Sequence, residues 1–238
     1  MSHEVQHLEN APIKEAIVDI QVELPSNALS NLDKLKKLYS KDFPIAKDLL
    51  GLEVRIKNTA DTRGSSHEMN RMGIRFETGN NDRVVLARLD RMVFSRVNKY
   101  YDWDDLIENA KKAWGKYRRA MKPVRIKRLA VRYINQIHLE WPIEDIVTVQ
   151  PSIPTGVDYK MNGFTSQTLL TENGVSILVT LAKKDKSEPV LIDIDVFKDV
   201  DLLPKQFSSI WKQLHKYREF KNNVFFNYST EKLIKELG

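Results

Sequence analysis

The sequence predicts an α+β domain in which long helices cover one face of a curved antiparallel sheet. Clusters of alternating strands are broken by a few long amphipathic helices. A similar order of elements occurs twice, as β-α-β-β-β-α over 10–122 and as β-(short α)-β-β-β-α over 124–238. No composition break separates the two, because a strand begins almost directly after Pro123. The chain 1–238 is therefore read as a single domain of two similar halves. Residue identity between the halves is weak, so the repetition is one of element order.

The first strand is "AIVDIQVEL", 16–24, where Ala16, Val18, Ile20, Val22 and Leu24 alternate with mostly polar residues. In the following segment Leu29, Leu32, Leu35, Leu38 and Tyr39 recur at helical spacing until Pro44 ends the run. "LLGLEVRIK" reads as a second strand. The stretch 58–71, "NTADTRGSSHEMNR", is polar and Gly/Ser-rich, and it reads as a mobile loop. "MGIRFETGNNDRVVLARLDRMVFSRVN" reads as two strands around a "GNND" turn. The helix 102–122 is the clearest element. Asp102 suits its N-cap and Asp104 and Asp105 its first turn. Leu106, Ile107, Ala110, Ala113, Trp114, Tyr117 and Met121 trace one face, and Pro123 stops it.

"RLAVRYINQIHLEW", 128–141, opens the second half as a strand. A short helical turn at "PIED" and a loop follow. Three strands lie around "MNGFTSQTLLT", "VSILVTLAKK" and "PVLIDIDVF", separated by turns at 172–174 and 184–189. A long helix carries Phe207, Ile210, Trp211, Leu214 and Tyr217, and "STEKLIKEL" closes the chain with Ser229 or Thr230 as cap. Long helices on one face of a curved sheet made of two similar halves suggest an architecture like the TATA-binding-protein-like or helix-grip folds.

Composition narrows the function. The chain of 238 residues has no cysteine, so thiolate nucleophiles, disulfides and Cys-ligated metals are excluded, and a reducing compartment such as the cytoplasm fits. No apolar run is long enough to span a bilayer, and "MSHEVQHLENAP" lacks the apolar core of a secretory signal, so no membrane role is expected. The five histidines form no metal-binding spacing. No nucleophile elbow, phosphate loop or dinucleotide fingerprint is present among so few as nine glycines. No cofactor is expected.

Three stretches carry a resemblance: "NAPIKEAIVDIQVEL"; "FSRVNKYYDWDDLIENAKKAWGKYRRAMKPVRIKRLAVRYINQIHL"; and "VLIDIDVF" with "LHKYREFKNNVFFNYSTEKL". Together they resemble a sporadically distributed, uncharacterised bacterial family. Its pattern is a Pro-x-x-Glu-Ala opening, a Ser-Arg…Trp helix followed by an Arg-Tyr-Ile-Asn strand, and a closing Phe-Phe…Thr segment. The resemblance implies a bacterial cytosolic protein. Its patchy distribution fits a mobile or defence-associated gene. It supplies no catalytic residues.

Three constellations remain. Arg132 and Asn135 are polar residues in an otherwise well-patterned strand. Either they are structural, with Arg132 paired to a carboxylate and Asn135 satisfying backbone, or with Arg96 and Ser95 they line a polar pocket. Asp193 and Asp195 share one strand face and, with Asp19 or Glu23, are the candidates for a metal pair; the alternative is a polar face. The strongest signal is the run from Lys111 to Arg128, which holds nine basic residues and no acid in a chain of net charge +6. Trp114 and Tyr117 interleave with it but fall on the apolar helical face. The resulting reading is a non-enzymatic binding protein acting through a protein partner, in a mobile defence or toxin–antitoxin-like module. Recognition is assigned to Arg118, Arg119, Arg125, Lys127 and Arg128. One alternative is a nucleic-acid binder using 111–128. Another is a small-ligand pocket protein or enzyme centred on Arg132 and Asn135.

Overall fold

Strict alternation along two neighbouring strands organises the molecule. The computed structural model describes residues 8–59, 62–152, 156, 158, 160–185 and 187–238, and of 52–59 and 62–68 the backbone alone. The strands are β1 (Ile13–Glu23), β2 (Ile45–Thr59), β3 (Thr62–Glu77), β4 (Arg83–Arg88), β5 (Arg91–Val97), β6 (Arg125–Ile137), β7 (Phe164–Glu172), β8 (Val175–Lys183) and β9 (Val190–Leu202). The helices are α1 (Leu32–Tyr39), α2 (Trp103–Met121), α3 (Phe207–Tyr228) and α4 (Glu231–Leu237). All the described strands join one antiparallel sheet in the order β2-β3-β4-β5-β1-β6-β9-β8-β7, so the fold is α+β. No described helix is long and apolar enough to cross a membrane.

One cross-strand row shows how the core is built. Phe76, Val85, Phe94, Val18, Val131, Val196 and Ile177 lie side by side across β3, β4, β5, β1, β6, β9 and β8, and all are buried. Helices α2 and α3 cover this face. α2 packs on β5 and β1, and α3 on β6 and β9. The two helices run antiparallel, with Trp103 against His215 and Arg118 against Phe207. Trp114 and Tyr117 are fully buried and stack with ring centres 5.8 Å apart. Tyr117 donates to the Arg88 carbonyl at 2.8 Å, and Tyr39 donates to the Ala113 carbonyl at 2.6 Å, which ties α1 to α2. The Asp102 side chain accepts from the Asp105 N–H as N-cap, and Lys122 ends α2 in the left-handed conformation, φ 50°.

Several expectations are corrected. The polar stretch 58–71 is not a loop where it is described: Asn58 pairs with Arg63, Thr59 with Thr62, and the ladder continues through Arg71. A hairpin held by backbone hydrogen bonds needs no apolar alternation to form, so this stretch carried no strand signal. The segment 83–97 is two strands, β4 and β5, turning at Leu89 and Asp90, which lack the Gly, Asn or Pro that usually marks a turn. Among the described residues the first half therefore supplies five strands and the second half four, so the expected match of element order is broken by one strand. Leu29 lies in a 3-10 turn before α1 and is 53% exposed, not part of the helix's apolar row. The β7–β8 hairpin turns at Asn173-Gly174 with both φ positive, as its sequence predicts.

Candidate functional site

Strand parity separates the residues expected to share a pocket. Arg96 stands beside Ala16 and Asn135 beside Ile192, both on the helix-covered face, whereas Arg132 stands beside Ile17 and Asp195 on the opposite face. Asn135 is buried and donates through Nδ2 to the Ile192 carbonyl at 2.9 Å. Arg96 is buried and clamps Asp105 at the start of α2 through Nε and Nη2, both at 2.7 Å, and reaches Asp82 at 3.1 Å. Burial raises the Asp82 pKa, but the Thr78 hydroxyl and Arg96 outweigh it and hold the carboxyl below its usual range. Arg96 thus pins the start of α2 to β5. Ser95, one residue away, is buried on the other face.

The uncovered face of the sheet is a lattice of opposite charges. Arg132 donates to both oxygens of Asp193, at 2.8 and 2.5 Å. Arg128 bridges Asp195 at 3.1 Å and Asp19 at 3.4 Å, with its guanidinium 4.2 Å from the centre of the Phe197 ring. Arg91 reaches Asp19 at 3.1 Å. Burial pushes the Asp19 and Asp195 carboxyls up, against the pull of these arginines. Asp193 and Asp195 are each engaged by an arginine, and no group of three or more potential ligands among the described residues is placed to hold a metal ion. The interdigitated charges of β1, β5, β6 and β9 neutralise one another, so among the described residues these strands present no continuous cationic track for a phosphate backbone.

The basic run resolves in the same way. Lys116 is bound to Asp42, Arg125 to Asp201 at 3.0 Å, and Arg128 to Asp19 and Asp195. Lys111 lies over the Trp211 ring. With Trp114 and Tyr117 in the core, no aromatic of the run is left to stack on bases. No family model matches this chain. No curated protein matches it either.

The end of α2 keeps its charge. Arg118, Arg119 and Lys122 line an open groove with Gly115, Pro123, Pro204 and Lys205, and no acid lines it among the described residues. The α2 dipole supplies only about half a negative charge here, too little to balance four cations. Arg118 rests 4.3 Å above the Phe207 ring. Val124, Leu203 and Phe207, in or next to the segments that form the groove, are 49%, 38% and 38% exposed. Lys127 is exposed near the start of β6, where the β6–β9 register shifts. Of the residues expected to mediate recognition, Arg118 and Arg119 meet in this groove. Arg125 and Arg128 belong to ion pairs. Lys205, Leu203 and Phe207 come from a segment 80 or more positions away, which no spacing within the basic run could indicate.

Proposed function

We propose that this chain is a binding protein that acts by docking an acidic protein partner onto the groove at the end of α2. The observation that carries this reading is the coincidence of four cations without an acid and three exposed apolar side chains beside them. Arginine and aromatic anchors surrounded by charge are the usual make-up of a protein recognition patch. The charge pairing on the sheet face weighs against nucleic acid as the main partner. The test is affinity capture from cells that naturally express the chain, comparing wild type with Arg118→Glu/Arg119→Glu. The reversal is expected to lose the partner at least about tenfold. Undiminished capture contradicts the reading, and so does recovery of nucleic acid in place of an acidic protein.

We further infer membership of the resembled bacterial family, and with it a cytoplasmic, defence-associated setting. The support is the Pro12-to-Ala16 opening, which places β1 at the centre of the sheet, and the Arg132-to-Asn135 element, which forms the β6 strand beside it. A TATA-binding-protein-like or helix-grip arrangement of two related halves is supported by the strand order. β1 and β6 are neighbours, and each is flanked by the last strand of its own half, β5 and β9.

A further inference from the structure

At the opposite end of α2, about 28 Å away for a helix of this length, lies a second feature that the partner groove does not use. A cavity of about 220 Å³ opens between α3, the start of β1 and the segment leading into α2. Two cations line it from α3, Arg218 and Lys221. Lys221 reaches inward until its ammonium lies 4.1 Å from the centre of the Tyr133 ring, which is fully buried. Arg218 lies over Trp103, 5.6 Å from the ring centre. Neither cation has an ion-pair partner among the described residues, in contrast to Arg96, Arg128 and Arg132.

Every ionisable group facing Lys221 leaves it unmatched. Tyr133 on β6 and Tyr100 in the approach to α2 bond to each other through their hydroxyls at 3.1 Å, and burial keeps both phenols protonated. Asp102 accepts the Asp105 N–H as N-cap and forms no ion pair with Lys221 or Arg218. Glu9 stands on the exposed rim. Burial, with added repulsion from Arg218 on the same helix, brings the Lys221 ammonium down to about 7. A half-buried ammonium without an ion-pair partner is costly to keep, and a site of this kind is stabilised when an anion enters it.

We propose that this cavity binds a small phosphate monoester, with Arg218 and Lys221 donating to the phosphoryl oxygens and Ile13 and Phe225 lying against its organic group. Two converging cations favour a dianion over a carboxylate, and arginine presents a fork that matches phosphate oxygens. The Asn135 and Asn222 side chains at the wall supply further polar contacts.

The test uses the full chain and three probes: phenyl phosphate, inorganic phosphate and benzoate. Titration calorimetry near about pH 7.5, in two buffers of different ionisation enthalpy, measures affinity and proton exchange. Phenyl phosphate is expected to bind about tenfold or more tightly than either other probe, with net proton uptake as Lys221 regains its charge. Lys221→Met is expected to lose that affinity about tenfold or more and to abolish the proton uptake, while melting no lower than wild type. Arg218→Met is expected to weaken binding and to reduce the proton uptake, because Lys221 loses the repulsion and carries more of its charge before the ligand enters. Absence of binding at millimolar phenyl phosphate overturns the proposal. Binding that survives both substitutions also overturns it, as does a Lys221→Met protein that melts well below wild type, which would make the lysine a structural cation. None of these results bears on the α2-end groove, whose test is the Arg118/Arg119 reversal.

Discussion

Lys221 allows a quantitative prediction about stability. In the unfolded chain its ammonium titrates near its ordinary value of about 10.4. In the folded protein, burial and Arg218 bring it down to about 7. The residue is half-buried, with its ammonium drawn toward the Tyr133 ring. Between these two values the unfolded state binds more protons than the folded state, so stability rises with pH through this window. At pH 7 the difference amounts to a penalty of about 4 kcal/mol, an upper figure since the cavity relaxes, and about 2 kcal/mol of it disappears by pH 9. The tyrosines held protonated by burial act in the opposite direction only above about pH 10, so they leave this interval clean. Urea denaturation of wild type and Lys221→Met at pH 7, 8 and 9 checks this. The variant is expected to be the more stable at pH 7, by up to about 4 kcal/mol, with the gap closing by about 2 kcal/mol as pH rises to 9. A gap that does not change with pH, or a variant less stable at pH 7, refutes the reasoning.

Trp114→Ala is expected to destabilise by about 3–5 kcal/mol by leaving a cavity, whereas Trp114→Phe costs far less, because the indole N–H has no partner to lose; chemical denaturation separates the two. Arg96→Met leaves Asp82 and Asp105 without their shared cation at the start of α2 and is expected to cost about 3 kcal/mol, read as a lowered denaturation midpoint. Lys122→Gly relieves the left-handed conformation at the end of α2 and is expected to raise stability by up to about 1 kcal/mol in a thermal melt, while weakening the groove. Arg71 lies in β3, bonded to Asp33 and Asp48, so trypsin is expected to cut there slowly; rapid cleavage at Arg71 in limited proteolysis contradicts the hairpin pairing.

Helix α2 is legible in the sequence down to its cap because amphipathic period, acidic start and terminal Pro123 all point the same way. The β2–β3 hairpin is not, because a polar strand paired through its backbone leaves no period to read. The turn at Leu89 and Asp90 is missed for lack of turn residues. The candidate site shows a different limit. Arg132 and Asp193 both stand out in the sequence, yet their pairing comes from strand register across 61 positions, which spacing does not encode. The same holds for the basic run. Asp42, Asp195 and Asp201, which neutralise Lys116, Arg128 and Arg125, arrive from two other segments, the turn after α1 and strand β9. Lys221 and Arg218 sit in "HKYREFKNN", where charge reads as an ordinary helix surface. Only the packing of α3 over Tyr133 draws the lysine inward.

The central claim, an acidic protein partner at the α2-end groove, is tested most directly by fluorescence anisotropy with the purified chain. One probe is a labelled peptide combining Asp/Glu with aromatic residues, and the other is a labelled single-stranded oligonucleotide, both at physiological salt. The peptide is expected to bind, and Arg118→Glu/Arg119→Glu to abolish this binding, while the oligonucleotide binds neither protein. The opposite outcome contradicts it: sub-micromolar oligonucleotide binding by wild type, with log affinity falling by about 0.7 per neutralised charge against log salt, and loss of that binding on the same reversal.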